Sequence, residues 1–291
     1  MDNINSRRLA IGTANFGQQY GAVGKTCGLH ISAVRSILGH ARRSGINCID
    51  SAAVYGDSER ILGEVGITDL KVITKLPPIP SKVRGVEHWV RSQVLASLKK
   101  LNVGMLDGIL LHHPRDILGP YGDELIATLV DLRTENRTAS LGYSLYDPSE
   151  IDALFEKQRP DIVQVPCNLL DRRFLAYFPL FSRLGVRIHV RSVFLQGTLL
   201  TPPKELPAYF QPWARIFSEL WRYYGDKENL VAGLLDSVLC EQEVEKVVIG
   251  VDSSLQLASI LKALHRKEDI HDRPELSCTD LRLIDPRTWR R

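Results

Sequence analysis

Residues suited to proton chemistry follow three consecutive apolar segments of the sequence. The stretch NCIDSAAVYG ends an apolar run on Asp50 and places the isolated phenol of Tyr55 shortly after it. KVITKL carries Lys75 near its end, and LDGILLHHP carries His112 after an apolar run. If these runs are neighbouring parallel strands, side-chain alternation would bring the four groups together at one end of a sheet. A carboxylate, a phenol, an ammonium and an imidazole would then share one site.

The chemistry that needs this set is general acid catalysis by the phenol. Free tyrosine has a pKa of ~10, too high for rapid proton donation at neutral pH. A buried ammonium beside the phenol is expected to lower that pKa, and a carboxylate keeps the ammonium charged and oriented. The imidazole can orient a carbonyl oxygen and share the proton transfer. The sequence therefore predicts that Asp50 holds Lys75 and that Lys75 tunes Tyr55.

Taken singly, each of these residues has a simpler structural interpretation. An aspartate after a strand commonly caps a helix or forms a turn, and a lysine at a strand end is usually solvated. The combination is what indicates a site. A Schiff-base aldolase built on Lys75 is a second chemistry that a barrel supports, but its lysine must be neutral, and Asp50 works against that.

The elements that would position these residues alternate regularly along the chain. Strands are predicted at residues 8–14, 46–50, 71–76, 105–112, 139–144, 161–166, 187–193 and 246–250. Helices are predicted between them at residues 31–44, 58–65, 86–101, 123–136, 148–157, 174–184, 212–240 (with a break) and 254–265. This order predicts a single (β/α)8 TIM barrel over residues 1–291. A doubly wound sheet is less favoured, because GTANFG is not the GxGxxG of a dinucleotide-binding first turn.

Two kinds of segment lie outside the regular units. Residues 112–122 and 196–213 are long and proline-rich, as lids or pocket walls above a barrel mouth often are. Residues 266–291 follow the eighth unit and are predicted to fold over one end of the barrel as a C-terminal extension.

Composition narrows the class of protein. The chain has 291 residues, 44% hydrophobic and 24% charged, enough to bury a sizeable core. A net charge of +3 with scattered basic residues does not indicate a nucleic-acid partner. The five cysteines form no CxxC pair, so neither a disulfide framework nor a metal site is expected. No run resembles a signal peptide or a membrane span, and a cytoplasmic location is expected.

The motifs together resemble those of the aldo-keto reductase family. They are GTANFG, IDSAAVYGDSERILGE, ITKL, LLHHP, LGYS, VQVPCNLLDRR, RSVFLQGTLL and VVIGVDSSLQL, and they cover residues 8 to 265. The resemblance implies an oxidoreductase that reduces an aldehyde or ketone with a nicotinamide cofactor. Its catalytic tetrad carries over to Asp50, Tyr55, Lys75 and His112, because the family's histidine stands two residues before a proline, here Pro114.

The resemblance also implies which residues contact the cofactor and the substrate. The implied cofactor contacts are Ser144 and Gln164 at the carboxamide, Arg191 stacked on the nicotinamide, Gln196 and Gly197 near the pyrophosphate, and Gly250, Asp252, Ser253 and Gln256 at the adenosine end. The resemblance also places His113 in the substrate pocket. Together with Arg115 and Arg191 it gives a polar mouth, which favours a hydrophilic, sugar-like carbonyl compound and makes Arg115 a second candidate for substrate binding.

The chain departs from the family pattern in two places that concern the cofactor. Leu145 stands where the family has an asparagine, and the basic residues that hold a 2′-phosphate in the family are not visible in VVIGVDSSLQLASIL, although Lys or Arg from elsewhere, including residues 266–291, could reach the site. Asp252 could accept hydrogen bonds from a ribose hydroxyl instead, as acidic residues do in NAD sites. NADPH is slightly favoured over NADH on family grounds, and a cofactor-binding sensor or subunit without turnover is the alternative function. The sequence does not indicate the oligomeric state.

The assignment of the catalytic histidine predicts different outcomes for two adjacent substitutions. We expect His112→Ala to impair turnover of every carbonyl substrate, because general acid–base groups contribute about 10²–10⁴-fold to the rate. His113→Ala should mainly alter the preference among substrates. Steady-state kcat/KM across a panel of aldehydes and ketones measures both. The reverse pattern would show that the histidine motif is misplaced by one residue.

Overall fold

A computed structural model describes residues 4–22, 28–265 and 276–289 of the chain. Its eight strands form a closed barrel in the order β1 to β8, and every neighbouring pair is parallel. The strands are β1 (Leu9–Gly12), β2 (Cys48–Asp50), β3 (Lys71–Leu76), β4 (Gly108–Leu111), β5 (Leu141–Ser144), β6 (Ile162–Pro166), β7 (Arg187–Arg191) and β8 (Val244–Gly250). The predicted (β/α)8 barrel is thereby confirmed.

Helices surround the sheet and follow the predicted order. They are α1 (Ile4–Arg7), α2 (Ile31–Arg43), α3 (Ser58–Val65), α4 (Val86–Leu101), α5 (Gly122–Thr134), α6 (Ile151–Lys157), α7 (Phe178–Arg183), α8 (Ala214–Tyr224), α9 (Lys227–Leu239), α10 (Ser254–Ala263) and α11 (Leu281–Ile284). The predicted break within residues 212–240 falls at Gly225 and Asp226, where a left-handed glycine ends α8 and the Asp226 side chain caps α9. None of the described helices is long and apolar enough to cross a membrane.

Amphipathic patterning explains how the helices pack on the barrel. In α2 the apolar residues Val34, Ile37, Leu38 and Ala41 recur at helical spacing and are the buried ones. The segment ends at Gly45, whose φ of 78° lies in the left-handed region that favours glycine. The same kind of face, repeated around the ring, forms one large apolar core between helices and sheet.

The inside of the barrel holds a second, much smaller apolar cluster. Its buried members come from five strands and are Ala10, Cys48, Ile73, Leu110 and Ile162. Because side chains alternate across a strand, Asp50 and Lys75 share the inward face with Cys48 and Ile73, two residues closer to the carboxyl ends. The apolar layer therefore forms a floor beneath a polar layer at the barrel mouth.

The C-terminal segment is docked against the loops that follow β6 and β7. The amide of Cys278 donates to the carbonyl of Leu170 at 2.8 Å, and the Trp213 indole donates to Asp280 at 3.3 Å. Trp289 packs edge-on against Phe210 with ring centroids 5.0 Å apart. Residues 276–289 thus lie at the mouth end of the barrel, whereas residues 266–275 and 290–291 of the predicted extension lie outside the described residues.

Candidate active site

A buried ion pair between Lys75 and Asp50 occupies the centre of the polar layer. The Lys75 ammonium donates to Asp50 Oδ1 at 2.6 Å and to the Ser51 carbonyl oxygen at 2.9 Å. Gln164 donates from Nε2 to the other carboxylate oxygen of Asp50 at 2.7 Å. The lysine is 1% exposed and the aspartate 4%. A buried charge is stable only when it is paired and hydrogen-bonded, and here three strands supply the partners.

The loop after β2 brings Tyr55 back over the strand end. The Tyr55 amide donates to the Ala52 carbonyl at 3.0 Å, and the Ser58 amide donates to the Tyr55 carbonyl at 3.1 Å. A Cβ atom on Gly17 would lie 2.4 Å from the Tyr55 carbonyl oxygen, so only glycine lets the loop after β1 approach this closely. Gly56, which follows Tyr55 directly, has a φ of 56°, in the left-handed region that favours glycine. The two glycines therefore explain the FG and YG dipeptides of the motifs.

The structure brings the four predicted catalytic side chains together. The Lys75 ammonium lies 5.4 Å from the centre of the Tyr55 ring. Tyr55 and His112 meet edge to face, with ring centroids 6.1 Å apart and planes at 87°. His112 follows β4 directly, and its amide donates to the Leu76 carbonyl of β3 at 3.1 Å. The phenol, the imidazole and the ammonium thus surround one small volume at the barrel mouth.

The expected lowering of the Tyr55 pKa by Lys75 is not observed. Burial is the largest influence and raises the pKa of the phenol, and the negative charge of Asp50 raises it further. The positive charge of Arg191 lowers it only in part. The charge of Lys75 is offset by Asp50 at 2.6 Å, so burial dominates. Tyr55 therefore stays protonated at neutral pH, as a proton donor must be.

The His112 imidazole is neutral at physiological pH. Burial lowers its pKa to about 4, and the positive charges of Lys75 and Arg191 act in the same direction. A neutral imidazole carries one N–H donor and one acceptor. His112 can therefore donate a hydrogen bond to a carbonyl oxygen without adding a formal charge beside the phenol.

Gln164 offers an observation that bears on the predicted nicotinamide cofactor. Its Nε2 is held by Asp50, and its Oε1 is a buried acceptor without a hydrogen-bond partner in the described part of the chain. Ser144 pairs in register with Gln164 on the neighbouring strand. An amide N–H donor satisfies such an acceptor. The carboxamide of a nicotinamide fits this position, and the Gln164 orientation is fixed by the same aspartate that holds Lys75.

The other predicted cofactor positions lie along the same end of the barrel. Arg191 ends β7 and donates to the carbonyl of the buried Leu145 at 3.0 Å. Gln196 and Gly197, in the loop after β7, both have left-handed backbone conformations with φ of 52° and 87°. The Gln196 carbonyl accepts from the Ala22 amide at 3.3 Å, which joins the loops after β1 and β7.

At the start of α10, Ser253 is the residue that caps the helix. Its hydroxyl accepts from the Gln256 amide at 3.1 Å, and Gln256 Oε1 accepts from the Asp252 amide at 2.6 Å. The Asp252 carboxylate accepts instead from the Asn15 side chain at 2.7 Å. Gly250 ends β8 and is exposed. Asp252 is therefore held as a negative charge between the loops after β1 and β8.

The two predicted substrate residues lie beyond the tetrad on the loop after β4. His113 is 55% exposed and its Nδ1 lies 2.6 Å from Asp116 Oδ1. Arg115 is 62% exposed and pairs with Glu150 at 2.9 Å. Their role in substrate binding stays a prediction.

Sequence reasoning missed two residues of the mouth, Tyr146 and Arg287. The guanidinium carbon of Arg191 lies 3.9 Å from the centre of the Tyr146 ring, and that of Arg287 lies 3.7 Å from it. Tyr146 follows β5 by two residues, so the search for polar residues at strand ends could have found it. Arg287 has no such signal, because it reaches the mouth only through the docking of the C-terminal segment.

Comparison with known proteins agrees with this geometry. A sequence model of the aldo/keto reductase family matches residues 8–276. The chain is 29% identical to aflatoxin B1 aldehyde reductase member 2 of Rattus norvegicus over 197 residues, which are 61% of this chain and 52% of that protein. It is 30% identical to a 6-dehydroglucose reductase of Novosphingobium aromaticivorans over 128 residues, 38% of this chain and 41% of that protein. The matches thus span about half the length of these relatives or less.

Solved structures of similar fold are also known. An aldo-keto reductase of Bacillus halodurans in its holo form superposes with a TM-score of 0.73 at 21% identity, covering 92% of this chain and 90% of that one. A protein of Pseudomonas aeruginosa superposes with a TM-score of 0.66 at 21% identity, covering 88% of this chain and 90% of that one. At this identity the likeness supports the barrel fold alone.

The buried ion pair leads to a prediction about stability. Lys75→Met should lower the free energy of unfolding by about 3–5 kcal/mol, because it leaves the Asp50 carboxylate buried without its cation. The double variant Asp50→Asn/Lys75→Met should recover most of that loss, since no charge remains. Urea unfolding of the wild type, both single variants and the double variant gives the four values. A Lys75→Met protein within about 1 kcal/mol of wild type would contradict this account.

Proposed function

The chain belongs to the aldo/keto reductase family, and on that premise we propose that it reduces an aldehyde or ketone to an alcohol with NADPH or NADH. The observation that carries the proposal is the edge-to-face contact of Tyr55 and His112 above a buried Lys75–Asp50 pair. The unpartnered Oε1 of Gln164 beside that pair supports the nicotinamide site.

Each side chain of the tetrad has a distinct part in this reaction. The bound nicotinamide supplies a hydride to the carbonyl carbon. His112 donates its N–H to the carbonyl oxygen and holds it beside the phenol. Tyr55 then transfers its proton to that oxygen. Lys75 faces the phenolate that is left, and Asp50 keeps the lysine in place.

The raised pKa of Tyr55 is compatible with its role as the acid. Hydride arrival turns the carbonyl oxygen into an alkoxide, which is a stronger base than a phenolate. Proton transfer therefore runs downhill without a phenol of low pKa. The buried phenol also cannot lose its proton to solvent before the substrate arrives, because burial disfavours its charged form.

Two other functions fit the residues less well. A Schiff-base aldolase needs the lone pair of Lys75, whereas this amine donates hydrogen bonds to two oxygens. Borohydride trapping of a substrate adduct on Lys75 would revive that reading. A sensor or subunit without turnover has no physical need for a phenol and an imidazole in contact at the mouth.

For the substrate we propose a hydrophilic, sugar-like carbonyl compound. The mouth is lined by polar and charged groups: His113 and Arg115 follow β4, and Arg191 ends β7. One relative carries the name 6-dehydroglucose reductase, which is consistent with this class. A cytoplasmic location is proposed as well, because Cys48, Cys167 and Cys278 form no disulfide within the described residues. Cys27 lies outside the described residues.

The central test of the proposed function is the substitution Tyr55→Phe. We expect it to lower turnover of any carbonyl substrate by about 10²–10⁴-fold, because the proton donor is lost while the ring remains. Cofactor affinity should be nearly unchanged. Tyr143→Phe is the matched control, since that phenol donates to the Gln158 carbonyl away from the tetrad. Steady-state rates and cofactor titrations decide the matter, and a Tyr55→Phe enzyme with more than about a tenth of wild-type turnover would remove Tyr55 as the acid.

Cofactor preference gives a further prediction. We expect the preference for NADPH over NADH to be weak, because the Asp252 carboxylate repels a 2′-phosphate and no Lys or Arg follows it within α10's first turn. Asp252→Asn should shift the ratio of dissociation constants toward NADPH by about one to two decades, the worth of one charge-assisted contact. Fluorescence titration of both cofactors measures this ratio. If the wild type bound NADPH a thousandfold more tightly than NADH, the proposed repulsion between Asp252 and the 2′-phosphate would be wrong.

A further inference from the structure

Three side chains form a stack at the barrel mouth, in which two arginines lie against the ring of Tyr146. Arg191 comes from the end of β7, Tyr146 from the loop after β5 and Arg287 from the docked C-terminal segment. The guanidinium carbons lie 3.9 Å and 3.7 Å from the centre of the Tyr146 ring. Two cations held against one ring repel each other, so this arrangement needs compensation by negative charge.

The structure supplies only part of that compensation. Asp285 is 3% exposed at its side chain and binds Arg287 through two parallel contacts, of 3.0 Å from Nε and 2.6 Å from the terminal nitrogen. Arg191 makes no ion pair within the described ranges, and its Nε has no hydrogen-bond partner there. Its other contacts are a carbonyl and a hydroxyl oxygen. Arg287 is thus matched by Asp285, and the negative charge of Glu150 acts on it as well, whereas the positive charge of Arg191 has no carboxylate in contact in that part of the chain.

This excess charge lies close to the reacting groups. The positive charge of Arg191 lowers the pKa of His112, after burial and Lys75, and it also opposes the raised pKa of Tyr55. Arg287 remains 54% exposed at its side chain although Asp285 fixes its orientation. A fixed, solvent-reaching guanidinium is well suited to binding carboxylate or phosphate oxygens.

We propose that the Arg191–Tyr146–Arg287 stack binds an anionic group, a carboxylate or a phosphate, at the end of the substrate remote from its carbonyl. The inference rests on the proposed carbonyl reduction and assigns its substrate class. The anion supplies the negative charge that the stack lacks, while the carbonyl lies between Tyr55 and His112. The C-terminal segment contributes Arg287 and thereby sets the substrate preference.

The same segment contains a matched control for this role. Asp280 and Arg282 repeat the Asp-x-Arg spacing of Asp285 and Arg287, with contacts of 3.0 Å and 2.8 Å. Arg282 lies over Trp213, at 5.7 Å from the ring centre, and not over Tyr146. If these arginines served only to fasten the segment, replacing either would have similar consequences.

The test compares anionic and neutral forms of the same aldehyde. The probes are 3- and 4-carboxybenzaldehyde against their methyl esters, and glyceraldehyde 3-phosphate against glyceraldehyde, each with saturating cofactor. We expect wild-type kcat/KM to favour at least one anionic probe over its neutral partner by tenfold or more. The carboxylate and phosphate arms then identify which anion is preferred. Arg287→Met should reduce this ratio at least tenfold, Arg287→Lys should retain part of it, and Arg282→Met should leave it within about twofold.

Several results would overturn the inference. A wild type that reduces the neutral probes but shows no preference for any anionic one would refute the anion site while leaving carbonyl reduction intact. An unchanged ratio in Arg287→Met would do the same, with Arg287→Gln used if the methionine variant does not fold. Equal losses in Arg287→Met and Arg282→Met would assign Arg287 a fastening role. If Arg287→Met bound the cofactor tenfold more weakly but retained the preference for anionic over neutral probes, the positive charge of the stack would serve the cofactor and not the substrate. Failure of the wild type to reduce any probe would instead overturn the proposed function and the inference with it.

Discussion

The buried pair of Lys75 and Asp50 is the interaction on which the rest of the site depends. An ammonium and a carboxylate inside a barrel are stable only when they are paired and hydrogen-bonded, since removal of charge from water is costly. Both carboxylate oxygens are used, one by Lys75 and the other by Gln164. The pair therefore fixes three strands relative to one another, and it orients Gln164 so that its remaining oxygen is left for a ligand.

A second layer of buried polar contacts holds the backbone around this pair. Glu59, at the start of α3, is 2% exposed and accepts from Thr74, next to Lys75, at 2.7 Å and from Ser97 at 3.1 Å. Ser58 donates to Thr13 at 2.8 Å, and that hydroxyl donates in turn to the Asp50 carbonyl. Ser58 and Glu59 are therefore structural residues. Their hydrogen bonds connect the start of α3 to β3 and, through Thr13, to the end of β2, and so fix the loop that carries Tyr55.

The electrostatics of the mouth follow from burial more than from local charge. Lys75 is matched by Asp50, so burial raises the pKa of Tyr55 and keeps His112 neutral. Both side chains are therefore uncharged at neutral pH. The unmatched positive charge lies instead in the outer layer, where Arg191 and Arg287 face Tyr146. The proton-transfer groups and the charged outer layer are therefore separate parts of one mouth.

The sequence by itself determined the barrel, and it proposed the four side chains that the barrel brings together at its mouth. Apolar runs alternating with amphipathic segments predict all eight strands. A parallel strand that is buried on both faces is apolar throughout, whereas a helix that is buried on one face has apolar residues at helical spacing. Strand-end positions then place Asp50, Lys75 and His112 on neighbouring strands. Only the tertiary structure decided the Gln164–Asp50 hydrogen bond, the direction of the Tyr55 pKa shift and the position of Arg287. These three features depend on burial and on contacts between segments far apart in the chain, and a local sequence pattern predicts neither.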